Sequence, residues 1–160
     1  MPTIRILSAS LLAASLLAQP VMAQNKASVA KSVNEFTALS QGLAASLADL
    51  SKRAETASPN DKEMIKLVTT QLGIVDATAD GVVALGMVAA RMRDNSDLTV
   101  AKTQLGTRCA ALKTLADAST KYVGSLASNI AAVATAAEVK KARDLVQQMS
   151  QHELCSAGKA

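Results

Sequence analysis

Aromatic side chains are almost absent from this chain of 160 residues, which contains one phenylalanine, one tyrosine and no tryptophan. Proteins that bind single-stranded nucleic acid stack the bases on aromatic side chains, and small-molecule pockets are lined largely by apolar and aromatic ones. Phe36 and Tyr122 are too few to form either kind of site. The charged residues are interspersed, with no basic run that would attract nucleic acid. We therefore expect no nucleic-acid partner.

Side chains that perform catalysis or bind metal ions are equally scarce, since the chain has one histidine and two cysteines. No nucleophile elbow, phosphate-binding glycine loop or zinc-ligand spacing is present. Asp76 and Asp80 lie one helical turn apart, but a di-metal bundle also needs Glu-x-x-His pairs, which the chain lacks. The sequence thus predicts no enzyme, no metal ion and no cofactor, and we interpret the two aspartates as part of a solvated helix face.

His152 is the only histidine and lies near the end of the chain, in the segment QHELC. A haem site resembling that of the b-type cytochrome bundles would need a methionine near the start of the first helix. Residues 27–55 contain none, and no Cys-x-x-Cys-His motif is present. We interpret His152 as a partly solvated residue at a helix end. Its replacement by alanine is then expected to change stability by less than about 1 kcal/mol.

The first 23 residues have the organisation of a secretory signal peptide. A short segment with one positive charge precedes the uncharged run ILSASLLAASLLA, and Val21 and Ala23 occupy the positions that signal peptidase reads. The run is shorter than the roughly 20 residues of a membrane span, so a cleaved leader is favoured over an uncleaved anchor. We predict cleavage after Ala23, a periplasmic or secreted protein, and a single domain over residues 24–160.

Apolar residues recur at alternating intervals of three and four along four stretches, which is the spacing of core positions in packed helices. The predicted helices span residues 27–55, 59–92, 97 to between 124 and 129, and 136–154. The predicted core positions of the second helix are Ile65, Val68, Leu72, Val75, Ala79, Val82, Gly86 and Ala89. Those of the third include Leu98, Ala101, Leu105, Arg108 or Cys109, Leu112, Leu115, Ser119, Tyr122 and Leu126.

The signals that start helices are also legible. Ser58 and Pro59 have the types preferred at the N-cap and the first turn. Thr135 and Glu138 have the spacing of a capping box, which predicts the start of the fourth helix. Four amphipathic helices with short connections predict an all-α fold, an antiparallel bundle.

The two cysteines are most simply explained as a disulfide, because the leader predicts an oxidising compartment. In an antiparallel hairpin, two residues equidistant from the turn lie side by side. Cys109 and Cys155 have their midpoint at residue 132, inside the predicted break between the third and fourth helices. We therefore predict a Cys109–Cys155 disulfide, which would stabilise the fold by about 4 kcal/mol through loop-closure entropy.

These observations favour a small exported bundle that acts by binding another envelope or secreted protein, as an adaptor, a chaperone or a neutraliser of a toxin or enzyme. The alternatives are a structural or membrane-surface protein and a carrier of a small ligand or cofactor. The predicted contact surface is Arg91, Met92 and Arg93, in the turn between the second and third helices. Arginine and methionine are enriched at interfaces, and turns are where bundles present functional residues.

Overall fold

The computed structural model describes residues 9–92 and 95–156, and the side chains of residues 27–92 and 96–155. Its helices are α1 Ala9–Thr56, α2 Pro59–Arg91, α3 Asn95–Ala127, α4 Val133–Gln151 and the single-turn α5 Glu153–Ser156. α1 packs against α2 and α4, and α3 packs against the same two helices. The four long helices thus form a bundle in which chain neighbours are antiparallel, which confirms the predicted all-α fold.

α1 begins earlier than the sequence predicted, at Ala9 rather than Ala27. Most of residues 9–23 are good helix formers such as alanine and leucine, and α1 also continues through Pro20, a residue type that usually breaks a helix. The predicted leader, residues 1–23, lies partly outside the described residues.

The predicted core of α2 is confirmed in full, because all eight expected positions are buried. On α1, Val33, Phe36 and Leu43 are buried and pack into the same core. Serine and alanine occupy several other core positions, where their small side chains allow the helices to approach closely.

The predicted core of α3 is correct in part. Leu105, Cys109, Leu112 and Ser119 are buried as predicted, but Ala116 and Val123 take the core positions predicted for Leu115 and Tyr122. Tyr122 is exposed, and Leu115 is half-buried. The core positions advance by four residues twice in succession, from Ala101 through Leu105 to Cys109, and this rotates the later part of the helix relative to a strict three-four alternation.

The predicted capping box of α4 is absent. The helix begins at Val133, its N-cap is Ala132, and Thr135 is buried within the first turn. Instead, the carboxylate of Asp61 accepts hydrogen bonds from the backbone N–H groups of Ala131 (3.1 Å) and Ala132 (3.3 Å). Asp61 lies in the first turn of α2 and is itself buried. This aspartate therefore satisfies backbone groups of the α3–α4 connection from across the bundle.

The disulfide lies beyond the other end of α4, beside the middle of α3. Cys109 on α3 and Cys155 on α5 are bonded, with their Cα atoms 5.2 Å apart, as predicted. No free cysteine remains. α4 does not continue to Leu154, as the sequence suggested, but ends at Gln151, and α5 starts after His152.

His152 is less solvated than predicted, with a side chain only 13% exposed. Its Nδ1 accepts a hydrogen bond from the backbone N–H of Leu154 (3.2 Å), and so caps α5. Its ring lies edge-on to Phe36, with the ring centroids 5.6 Å apart. Its Nε2 lies 3.9 Å from a carboxylate oxygen of Glu35 on α1. The histidine is therefore a structural contact between the chain end and α1.

Candidate functional site

The predicted contact residues lie where α2 ends. Arg91 is the last residue of α2 and is exposed. Met92 is the C-cap and is half-buried, and its backbone N–H donates to the carbonyl of Val88 (3.1 Å). Arg93 lies outside the described residues. Of the two that the structure describes, Arg91 is the one that joins a larger surface.

That surface is the outer face of α2. Beside its buried core positions, α2 has a second set of residues spaced by alternating intervals of four and three, on the side away from the core. We name this set the α2 outer stripe. Its members are Glu63, Leu67, Thr70, Ile74, Ala77, Gly81, Ala84, Val88 and Arg91.

The α2 outer stripe is exposed and apolar between its two ends. Leu67 is 37% exposed, Ile74 50% and Val88 45%, and every other member except the half-buried Gly81 is also classed as exposed. No charged residue lies on the stripe between Glu63 and Arg91. From first to last residue the stripe extends for about 42 Å, at 1.5 Å per helical residue. Its regular spacing differs from singly scattered surface apolar residues, which need no explanation.

The neighbouring helix α3 has an exposed aromatic residue level with one end of this surface. Gln71 on α2 donates a hydrogen bond from Nε2 to the hydroxyl of Ser119 on α3 (3.0 Å). Since the two helices are antiparallel, the turn of α2 before Gln71 is level with the turn of α3 after Ser119. Leu67 and Tyr122, which is 45% exposed, therefore lie at the same height in the bundle.

The middle of the α2 outer stripe consists of small residues. Ala77, Gly81 and Ala84 leave no long side chain over about two turns of the helix. A Cβ added at Gly81 would have nothing within 4 Å, so the space outside this part of α2 is open. A backbone this accessible lets a second helix approach closely.

The charged residues of the central part of α2 lie on a different side, towards α1. The hydroxyl of Ser40 on α1 donates a hydrogen bond to Asp80 (3.2 Å). Burial, and to a lesser degree repulsion from Asp80, raises the pKa of Asp76. The Oδ1 atom of Asp76 is buried and has no hydrogen-bond partner among the described residues. The predicted solvated face is thus wrong for Asp76, which is half-buried between helices.

Another candidate site is an open groove beside the disulfide. It is lined mainly by small and polar residues, among them Thr103, Thr107, Lys113, Asp117 and Ser150. Among the residues whose side chains are described, no three histidine, cysteine, aspartate or glutamate side chains form a group that could hold a metal ion.

α2 also contains an 18-residue stretch that is apolar enough to cross a membrane, judged by length and composition alone, with a mean hydropathy of 1.6. Core helices of soluble bundles satisfy the same test, and 33% of this stretch is buried inside the bundle. Asp76 and Asp80 lie on the same helix. The apolar character of α2 therefore results from two separate faces, an inner one that forms the core and the α2 outer stripe.

No protein-family model, curated protein or solved structure matches the chain. Its function must be inferred from the surfaces of the bundle.

The sequence contained the signal for this surface, but our sequence analysis identified only its last residue. Leu67, Ile74, Gly81 and Val88 recur at intervals of seven. The more strongly apolar core positions of the same helix hide this second periodicity, since valine, leucine and isoleucine dominate the core and small residues the stripe. Only the burial of one set and the exposure of the other separate them.

Proposed function

We propose that this protein is an exported helical bundle that acts by binding protein, and that the α2 outer stripe is its contact surface. The observation that supports this most is an uncharged and mainly apolar row of surface residues, from Leu67 to Val88, over about six turns of one helix. Interface cores are depleted of charge in the same way, and polar or charged residues form their rims. Glu63 and Arg91 have the positions of such rim residues.

Two features support export. A disulfide is expected where the compartment is oxidising, such as the periplasm or the cell exterior. The length of α1 also fits cleavage after Ala23. α1 has 48 residues, and removing residues 1–23 leaves 24–56, which equals the 33 residues of α2 and of α3. A cleaved leader would thus leave three long helices of matched length.

Binding to a membrane surface is the main alternative. Interfacial helices combine a strong apolar face with lysine and arginine at its borders. The α2 outer stripe lacks this pattern over most of its length, because no lysine or arginine lies between Lys66 and Arg91. Protein is therefore the better partner for an uncharged stripe of small and medium-sized residues.

Chemical cross-linking in exporting cells tests the proposal. We compare the full chain with Ile74→Asp, which places a charge in the centre of the stripe, and with Val133→Asp. Val133 is 83% exposed and lies on α4, diagonally opposite α2, so the control makes a similar apolar-to-acidic change on another surface. The wild type and the control should give the same protein adducts, and Ile74→Asp should lose them.

Two outcomes would contradict the proposed function. One is the absence of protein adducts from all three chains. The other is an unchanged set of adducts with Ile74→Asp, which would place the contact surface elsewhere. Flotation of the wild-type chain with anionic liposomes, lost on Ile74→Asp, would favour the membrane alternative.

A further inference from the structure

We infer that the partner of the α2 outer stripe is a second copy of this chain, bound antiparallel across a two-fold axis near Ala77. The inference rests on the proposed function, and it names the partner of the proposed surface. It follows from three properties of the residues along the stripe: their charge, their size and their spacing.

The first property is the charge at the two ends. Glu63 and Arg91 are the only charged members of the α2 outer stripe, they have opposite signs, and both are exposed. The residue midway between them is Ala77. When two copies cross antiparallel at this midpoint, Glu63 of each lies level with Arg91 of the other. The stripe is therefore complementary to itself in charge, and the symmetry forms two such pairs.

The same charges exclude a parallel pair in register. In that arrangement Glu63 would face Glu63 and Arg91 would face Arg91, and juxtaposed like charges suppress an association. An isologous two-fold interface, in contrast, requires one surface patch to be complementary to itself. Glu63 lies 4.0 Å from Lys66 within its own chain. Both side chains are more than half exposed, and exposed pairs of this kind contribute little to stability, so Glu63 can exchange this partner for an arginine.

The second property is size. The central residues Ala77, Gly81 and Ala84 are small. Of the larger residues, Leu67 and Val88 lie towards the two ends of the stripe, and Ile74 lies one turn from its midpoint. In the antiparallel arrangement Leu67 of one copy lies within one residue of the level of Val88 of the other, and Ile74 within one residue of the level of Gly81. Leu67 thus meets another apolar side chain, and Ile74 meets the open space beside Gly81, which lets the two helices approach closely near the axis.

The third property is spacing. Alternating intervals of three and four residues place a row of side chains along a left-handed seam, the geometry of two-stranded coiled coils. A single α2–α2 contact would join the two bundles side by side into a dimer with eight long helices.

Sedimentation equilibrium of the purified mature chain tests the inference. We expect a mass twice that of one chain for the wild type and for Val133→Asp, and the mass of one chain for Ile74→Asp at the same concentration. Circular dichroism confirms that each variant is folded. A wild-type chain that remains monomeric up to high concentration would overturn the inference, as would a dimer that Ile74→Asp leaves unchanged.

Charge exchange tests the antiparallel arrangement. Glu63→Arg and Arg91→Glu should each raise the dissociation constant of the dimer at least about fivefold, since each replaces two attractive pairs with two repulsive ones. The double variant should restore it to within about twofold of the wild type. Equal weakening by the double variant would refute this orientation and overturn the inference.

Engineered cysteines give a second readout that does not depend on affinity. Ala77→Cys lies near the proposed axis, so two copies should form an intermolecular disulfide under mild oxidation. Ala48→Cys, exposed on α1, is the control and should remain unlinked. Equal linking at both positions would contradict the arrangement.

A monomeric chain whose stripe still forms Ile74-dependent adducts with other proteins would overturn the dimer and leave the proposed function intact. A chain that is monomeric and also forms no Ile74-dependent adducts would refute both proposals.

Discussion

At the scale of single residues, Gly86 lies at a close contact between α1 and α2. A Cβ at this position would lie 2.7 Å from Cγ2 of Val33, a buried, β-branched side chain with one preferred rotamer in a helix. The same helix contains Gly73, where an added Cβ would meet nothing within 4 Å. The two glycines therefore differ in what they contribute to the bundle.

We expect Gly86→Ala to lower the free energy of unfolding by about 1 kcal/mol, because overpacking costs about 1–3 kcal/mol and the gain in helix propensity offsets part of it. Gly73→Ala should instead raise the free energy of unfolding by about 0.5–1 kcal/mol, since it gains propensity without a clash. Urea denaturation of both variants measures the difference. Equal shifts in the same direction would show that the helices do not approach closely at Gly86.

His152 contributes more than its sequence context suggested. Its contacts with Phe36 and with the backbone N–H of Leu154 would be lost in His152→Ala. We now expect a loss of about 1–2 kcal/mol, from one hydrogen bond and one aromatic contact, in place of the value below 1 kcal/mol predicted from the sequence. Reducing the disulfide should cost more, about 4 kcal/mol. A change for His152→Ala within experimental error would restore the earlier interpretation.

Asp76 makes stability depend on pH. Because its pKa is raised above the ordinary value of 3.8, its favourable contribution is complete below that value and is lost as the pH rises through the raised one. Asp76→Asn cannot ionise, so near neutral pH we expect this variant to unfold at a higher urea concentration than the wild type. The difference should disappear in acid, below pH 3.8. A wild type that is more stable than Asp76→Asn near neutral pH would show that the carboxylate has a favourable partner.

At the scale of secondary structure elements, the two ends of α4 are held by different means. The disulfide joins α5, which follows α4, to the middle of α3, and Asp61 on α2 binds the α3–α4 connection, which precedes α4. Only the first could be predicted from the sequence, since the spacing of two cysteines about a helix break is visible there. The partners of Asp61 lie about 70 residues away along the chain and use only backbone atoms, so no side-chain pattern reveals them.

Asp61→Ala leaves two backbone N–H groups without their acceptor, and hydrogen bonds to a charged group contribute about 1.5–3 kcal/mol each. We expect this variant to lose about 2–4 kcal/mol, less than the full sum because water reaches part of the connection. The control is Asp117→Ala, on the exposed face of α3, which should change stability by no more than about 0.5 kcal/mol. Thermal unfolding measures both, and similar small losses would refute the role of Asp61.

The elements also differ in how well their sequences specify them. α2 has valine, leucine or isoleucine at most of its core positions, so its inner face could be predicted completely. In α3, Leu115 and Tyr122 continue a regular three-four alternation on the wrong face, whereas the observed core uses Ala116 and Val123. Apolar periodicity cannot separate two adjacent faces when both contain apolar residues, and the hydroxyl of Tyr122 is satisfied more readily in water.

At the scale of the whole molecule, the inner face of α2 builds the bundle, and the outer face is available for a partner. The sequence was sufficient to predict the bundle and its disulfide. It was not sufficient to predict the α2 outer stripe, because the same helix contains two apolar periodicities and only the packing of α1 and α3 determines which is buried. The central claim is therefore about which side of α2 meets other proteins.

A photoreactive amino acid placed at successive positions of α2 in exporting cells tests that claim most directly. Positions 67, 74, 81 and 88 lie on the α2 outer stripe, and 66, 73, 80 and 87 precede each of them by one residue, which turns the probe about 100° around the helix. We expect protein adducts from the first set and few or none from the second, so that adduct yield repeats every seven residues. Equal yields from the two sets, or a maximum at 66, 73, 80 and 87, would contradict the assignment of the α2 outer stripe as the contact surface.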